Sequence, residues 1–450
     1  MTNIIIPVAP FERNLTWEAS NRNHPKPERD QEDIWSFRPD FGLGLGGQIV
    51  DAAFSALLPS VGNRGRRGQH QAFMSALLAL AQAATDLRNE NGRCGFLHER
   101  STSRNKKVPE RYEKCDFNKA QFMKALDALT SWGFVTYYKG FKHQDAKQGV
   151  SSFWMPEPPF RQWLDEHLAD LELVSFREAV EVIRLKDSKK RLCDYVDDEM
   201  VIAMRERVEA SNRMRSDFAW SYIPMSDERQ YQEGDQRRFI PRTSLRCHRQ
   251  FRENFQSGGR FYCAAQSLRK GERATITVNG EPTIELDYKS LHPRLLYNDE
   301  GIEAPADCYA SDARPRELTK MVSLLSLNCK SLNQARQTLM QREGLSSDVA
   351  SEHLRRYAEE HPGIAHRFFN SGWRRLQFLD SQIVDAVLTK ATAKGIPVLP
   401  VHDSFIVATR YADWLKQAAA DGYQELTGFT SVIDWEPMPD VEMLFADRDY

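Results

Sequence analysis

The stretch "VLPVHDSFIV", Val398 to Val407, restricts what this chain can fold into more than any other, because it sets a His-Asp-Ser triplet inside an otherwise apolar run. Burying an unpaired carboxylate there as one continuous strand would cost several kcal/mol, an order-of-magnitude penalty. Two short strands, Val398–Val401 and Phe405–Val407, avoid it by placing His402, Asp403 and Ser404 at the tight turn of a hairpin. Asp403 is then expected at an exposed tip.

The chain has 450 residues, which favours two or three domains over one core. Its 41% hydrophobic and 28% charged residues are ordinary for a soluble globular protein, and no apolar run approaches the roughly 20 residues that span a bilayer. The opening "MTNIIIPVAPFERN" lacks the basic start and small-residue cleavage site of a secretory signal. The seven cysteines are scattered and never form C-x-x-C, which argues against a disulfide framework or a zinc site. A cytoplasmic protein with reduced thiols and no membrane partner is therefore expected.

Formal net charge is only −2, but the charge is unevenly spread. "RRFIPRTSLRCHRQFR" carries Arg237, Arg238, Arg242, Arg246, Arg249 and Arg252 with no acidic residue between them. Guanidinium groups suit phosphate through their permanent charge and planar donor fork. A solvated helical face would also explain such a cluster.

Residues 1–60, rich in Pro, Gly and Asn, read as an irregular extension. Over 61–165, "HQAFMSALLALAQAATDL" and "DFNKAQFMKALDALTSWG" predict two helices, the second starting near Asp116 and stopping at Gly133. "FVTYYKGF" and "VSSFWMP" then predict a hairpin. This is the order of a winged helix-turn-helix, with a basic loop containing Lys106 and Lys107 before the second helix. Duplex DNA contact and a plain α+β packing module are both compatible with it. Residues 160–220 read as largely helical and charged, and from about 240 onward the pattern is mixed α/β.

In "GEPTIELDYKSLHPRLLY", Ile284 and Leu286 alternate with Glu285 and Asp287, as on a half-buried strand with Asp287 near its end. "RPRELTKMVSLLSLNCKS" predicts a helix from about residue 315. On it Arg316, Lys320, Leu324 and Asn328 form one i, i+4 row opposite Leu318, Met321, Val322, Leu325 and Cys329. Two cations one turn apart suit a triphosphate, although an ordinary surface helix would show the same spacing. Two aspartates on neighbouring strands beside such a helix supply what nucleotidyl transfer needs: hard oxygen ligands for a pair of Mg2+ ions and cations for the phosphates.

"ELDYKSLHPR", "RELTKMVSLLSLN" and "PVHDSF" resemble motifs A, B and C of the family A DNA polymerases and the phage-type single-subunit RNA polymerases, in the same order. Asp287, Tyr288 and Arg294 match the DNA polymerase motif A, D-Y-S-x-x-E-x-R, and Arg316 and Lys320 match R-x-x-x-K of motif B. "QSGGRFY" is similar to the D-x-x-G-R-x-Y element of the RNA polymerases, through Gly259, Arg260 and Tyr262. "RLQFLDSQIVDAVL" resembles the family A helix before motif C, with Gln377 as its duplex-contacting glutamine.

The resemblance implies an α+β fold with a right-hand polymerase core of palm, fingers and thumb-like helices: thumb-like connector 166–240, palm and fingers 241–450. It implies Asp287 and Asp403 as ligands of two Mg2+ ions, with Mn2+ able to substitute. Lys320 and Arg316 would hold the triphosphate, with Leu324, Asn328, His292 and Tyr288 around the nucleotide and His402 at the primer terminus. Arg260, Tyr262 and Gln377 would contact the template-primer duplex, with Arg242, Arg246 and Arg249 along the nucleic-acid channel. Lys106 and Lys107 would touch duplex DNA through the winged helix.

Three positions depart from the pattern. His292 stands where DNA polymerases have Glu and RNA polymerases Gly, Asn328 replaces the motif B tyrosine, and Gln256 replaces the aspartate of D-x-x-G-R. Sugar choice is not readable from these residues. The sequence-based expectation is a template-directed DNA polymerase, acting in replication of a mobile element, plasmid or phage. An RNA polymerase or primase of the single-subunit type is the alternative, and a non-catalytic DNA-binding replication initiator with a vestigial core is the rival from another class.

Overall fold

The computed structural model describes residues 33–36, 94–97, 109–112, 127, 130, 133, 135–138, 153–157, 181–223, 238–240, 242–312, 314–370 and 372–435. They belong to two compact units: residues 1–181, 219–246 and 267–273 form the first, and residues 182–218, 247–266 and 274–450 the second.

In the first unit, β1 (Asp33–Ser36), β2 (Cys94–Leu97), β3 (Val135–Tyr138) and β4 (Phe153–Pro156) form a four-stranded sheet in the order β1-β2-β4-β3. β3 and β4 are antiparallel, with Val135 opposite Pro156 and Tyr138 opposite Phe153, so the hairpin expected from "FVTYYKGF" and "VSSFWMP" is present. Asp127 and Thr130 are helical, and Gly133 has φ +74 and donates its N–H to Thr130 O at 3.1 Å. The first expected helix, most of the second, and Lys106 and Lys107 lie outside the described residues. A further antiparallel pair, Trp220–Tyr222 with Arg238–Phe239, belongs to this unit.

The second unit opens with a departure from the expected helix. Ile183–Lys186 is a strand, β5, paired in parallel with β6 (His248–Arg252), which is antiparallel to β7 (Asn254–Tyr262). Burial alternates along β5, with Ile183 and Leu185 inside and Arg184 and Lys186 partly out. That period of two, rather than the charge density of the surrounding segment, decides the local structure. The helix follows as α1 (Glu199–Ser216), whose first turn is closed by Asp198 accepting from Val201 N at 2.8 Å.

The second sheet of this unit is built around β9 (Glu281–Tyr288). Its beginning pairs with β8 (Thr277–Val278) and its end with β12 (Ile433–Trp435). Along its length it pairs antiparallel with β11 (Ser404–Ala408), which is joined to β10 (Leu399–Val401) by a hairpin. Helices α2 (Leu291–Asp299), α3 (Arg316–Asn328), α4 (Leu332–Glu343), α5 (Ser347–Glu360), α6 (Trp373–Ala393) and α7 (Ala412–Thr427) complete it. Among the described residues, no helix is long and apolar enough to cross a membrane.

α6 packs on β7 at a point where the strand has no side chains. Gly258 and Gly259 have φ of +78° and +85°, and a Cβ on Gly259 would stand 2.6 Å from the Phe251 ring and 2.8 Å from Ser381 Oγ. The backbone therefore comes close enough for Arg249 to tie strand and helix together. This side chain is 0% exposed and lies 5.0 Å from the centroids of both Phe251 and Phe261. It donates to Gly259 O at 3.0 Å, Ser381 Oγ at 3.1 Å and Asp385 Oδ2 at 3.2 Å. Asp385 also receives Arg207 of α1 at 2.6 Å. Burial pulls the Arg249 pKa down, with Asp385 acting in opposition.

The expected role of Arg249 in a nucleic-acid channel is therefore corrected: its guanidinium is consumed inside the core. Arg246, in the first unit, is likewise buried at 6% exposure. Arg242 opens a short helical turn, Arg242–Leu245, with its side chain outside the described residues.

Replacing Gly259 by Ala combines a disfavoured φ with overpacking, each worth on the order of 1–3 kcal/mol. We expect Gly259→Ala to lower the urea midpoint of the full chain by the equivalent of about 3 kcal/mol; an unchanged midpoint would show that the close approach is not required.

Candidate active site

The two motif aspartates meet through strand pairing. Ser404 lies opposite Asp287 in the β9–β11 register, and Asp403 immediately precedes it. Since Val401 pairs with Ser404, the hairpin loop is only His402 and Asp403, one residue shorter than the expected triplet. His402 takes the strain, at φ +57. Such a value is uncommon for a non-glycine residue and clusters at functional sites. His402 is exposed and Asp403 half-buried, so the histidine rather than the aspartate forms the outermost tip. Ser404 is buried and donates to Glu285 Oε1 at 2.5 Å and Val401 O at 3.0 Å, closing the loop from beneath.

A second set of residues converges from β7, α2 and α6. Asp380 of α6 is 0% exposed. Its Oδ2 accepts from Arg260 Nε at 2.8 Å and Arg260 Nη2 at 2.5 Å, and His292 Nε2 lies 2.9 Å away. Arg260 Nη2 and His292 Nε2 are themselves 3.0 Å apart. Burial alone would depress the Arg260 guanidinium, but the charge and hydrogen bonds of Asp380, with Asp403 adding to them, hold its pKa above the usual value. Asp403 thus acts on the same arginine as the buried cluster. Asp380 Oδ1 has no hydrogen-bond partner among the described residues. The sequence offered no isolated signal for Asp380, although it lies three residues from Gln377, which is half-buried on α6.

Tyr262 is half-buried between His248, stacked at 5.8 Å, and His402, edge-on at 6.3 Å. Burial raises its pKa, and Arg260 opposes the rise. His402, Tyr262, Arg260, Asp380, His292 and Asp403 therefore form one connected group. Tyr288 does not join it: it is 4% exposed, donates to Ala419 O at 2.7 Å, and packs on Phe405 and Tyr423. Its expected place beside a nucleotide is corrected to a place in the core, where burial pushes the phenol pKa up. The alternation that makes Asp287 accessible turns the next residue inward. Arg294, 3% exposed, donates to Lys289 O, Pro305 O and Ala306 O and clamps the segment after α2.

On α3 the expected split is present. Arg316, Lys320 and Leu324 are exposed and Asn328 half-buried, while on the opposite face Val322, Leu325 and Cys329 are buried and Leu318 and Met321 half-buried. Tyr357 of α5 donates to Ser323 Oγ at 2.7 Å, and the buried Arg314 pairs with Glu360, fixing the helix from behind. Asn328 donates to Leu324 O at 2.7 Å. Lys320 makes no ion pair among the described residues.

Tyr309 packs against the start of this helix. The Arg316 guanidinium lies 5.2 Å from the centroid of its ring. Burial, with Cys308 adding to it, pushes the Tyr309 phenol up to about 12, and the charge of Arg316 opposes the rise. The motif spacing carries no signal for Tyr309.

Among the described residues, no group of three or more His, Cys, Asp or Glu side chains converges to hold a metal ion. Two carboxylates nevertheless fit Mg2+, which is often held by one or two of them together with waters and substrate phosphates.

Breaking a buried ion pair by neutralising one partner costs about 3–5 kcal/mol. We expect Asp380→Asn to lose stability of that order in chemical denaturation, and the double change with Arg260→Met to recover part of it. Strict additivity of the two changes would contradict the coupling described here.

A search of solved structures returns the POL domain of Pol1 from M. smegmatis, in complex with DNA primer-template and dNTP, at 12% sequence identity and a TM-score of 0.30, covering 86% of this chain and 71% of that chain. No family model matches the chain, and no curated protein matches it.

Proposed function

We propose that this protein is a template-directed nucleotidyltransferase that extends a nucleic-acid primer, with DNA synthesis as its activity. The observation that carries the reading is the adjacency of Asp287 and Asp403 in the β9–β11 register, in the same unit as the exposed α3 row that begins at Arg316. The resemblance to polymerase motifs A, B and C adds to it, because those motifs are the segments that form these elements. Tyr288 and Arg294, which match the DNA polymerase pattern, serve the core and the clamp around this geometry.

Bound Mg2+ would supply Lewis-acid activation of the primer hydroxyl and stabilise the departing pyrophosphate. Asp287 and Asp403 would be its protein ligands. Arg316 and Lys320, one turn apart, would bind the triphosphate oxygens and offset the negative charge that develops as the bond to phosphorus breaks. Arg260, kept charged by Asp380 and Asp403, would present a fixed donor to the primer-template near the reacting end. His402, strained and exposed beside Tyr262, would contact the primer terminus.

The test uses full-length protein, a primed DNA template, the four dNTPs and Mg2+. Wild type should extend the primer, and Asp403→Ala and Asp287→Asn should each lose at least about 100-fold in rate, the scale of removing a group that stabilises a charged transition state. Incorporation that persists in Asp403→Ala would overturn the two-carboxylate mechanism. Inactivity of wild type with primed and unprimed templates, and with dNTPs and rNTPs alike, would favour the initiator with a vestigial core.

A further inference from the structure

We infer that Asp307 is a placeholder for phosphate on Arg316, and that Tyr309 holds the guanidinium where the exchange takes place; this rests on the reading of α3 as the triphosphate-binding helix. The Arg316 side chain turns its Nε–Nη2 edge to the Asp307 carboxylate, with Nε to Oδ2 at 3.3 Å and Nη2 to Oδ1 at 3.5 Å. That is the same edge-on fork by which arginine grips a phosphate. Carboxylate and phosphate cannot occupy this edge together.

Asp307 is itself held in place. Its Oδ1 accepts the backbone N–H of Tyr309 at 2.9 Å, and Arg294 fixes the residues just before it through Pro305 O and Ala306 O. The contact with Arg316 is the loose one. Both distances are long for a charge-assisted pair, and the side chains are 49% and 41% exposed, so the pair contributes little. A triphosphate, with several charges, displaces the carboxylate readily. The cation–π contact with Tyr309 is made to the ring and not to the Asp307 carboxylate, so it survives the exchange. The ring thus holds Arg316 in position while the occupant of its edge changes.

This assigns opposite signs to two neighbouring positioning residues. In full-length protein bound to a primed template, with Ca2+ replacing Mg2+ to block chemistry, the dissociation constant of a fluorescent dNTP matched to the templating base is measured. Asp307→Asn, which keeps the acceptor for Tyr309 N–H, should tighten binding roughly two- to fivefold, the scale of an exposed ion pair. Tyr309→Leu should weaken it roughly two- to fivefold, and Tyr309→Phe, which keeps the ring, should stay within about twofold of wild type. With Arg316→Gln as background, Asp307→Asn should have no effect.

Tighter binding cannot come from structural damage, so its sign separates the placeholder from a merely structural aspartate. Equal or weaker binding by Asp307→Asn at unchanged thermal midpoint would overturn the inference and leave the functional reading intact. A wild type that binds no triphosphate would remove the functional reading and this inference with it.

Discussion

The approach of the β7 backbone to α6 at Gly258 and Gly259 is the constraint on which the site geometry depends. With no Cβ in the gap, the strand lies against Ser381 and the Phe251 ring, and Arg249 closes the contact by bonding strand carbonyl, helix hydroxyl and Asp385 together. The next strand residue is Arg260, which meets Asp380 one helical position before Ser381. A buried guanidinium is tolerable there because its donors find partners, and a buried carboxylate because two basic side chains face it. α1 braces the same assembly from the other side: Arg207 reaches Asp385, and Arg215 donates to Val398 O just ahead of the β10–β11 hairpin.

The aspartates are positioned by a different device, ordinary β-pairing. Asp287 gains its place from the β9–β11 register, and Asp403 from a loop so short that His402 must adopt a positive φ. A one-residue slip of β9 would turn Asp287 inward and Tyr288 outward, breaking both the core around Tyr423 and the site. The buried pattern of Leu286 and Tyr288 therefore protects the register that the chemistry needs.

Much of this was legible in the chain. A hairpin around His402-Asp403-Ser404, a strand with Asp287 near its end, and a row of Arg316, Lys320, Leu324 and Asn328 follow from periodicity of two or of 3.6; the structure shortens the loop by one residue, puts His402 at the tip and leaves Asn328 half-buried. What periodicity does not carry is partnership. Arg249 and Arg252 look alike in a basic run, yet Arg249 is wholly buried against Asp385, well over a hundred residues later, and Arg252 is half-buried. Asp380 and Tyr309 carry no such signal for the same reason, since the one is defined by Arg260 and His292 and the other by Arg316. Tyr288 was misplaced because a motif match gives the residue type, not the face of the strand on which it lies. Residues 183–186 were read as helix because a charged surrounding segment outweighed four alternating positions.

The proposed activity is template-directed addition of nucleotides, with two carboxylates set by strand register and an exposed cationic helix in the same unit. Single-nucleotide incorporation tests it most directly. Wild-type protein is given a primed template with each of the four bases in turn at the templating position, and each dNTP is offered alone with Mg2+. The account predicts extension by one nucleotide dominated in every case by the complementary dNTP. Extension indifferent to the templating base, or no extension with any pair, would contradict it.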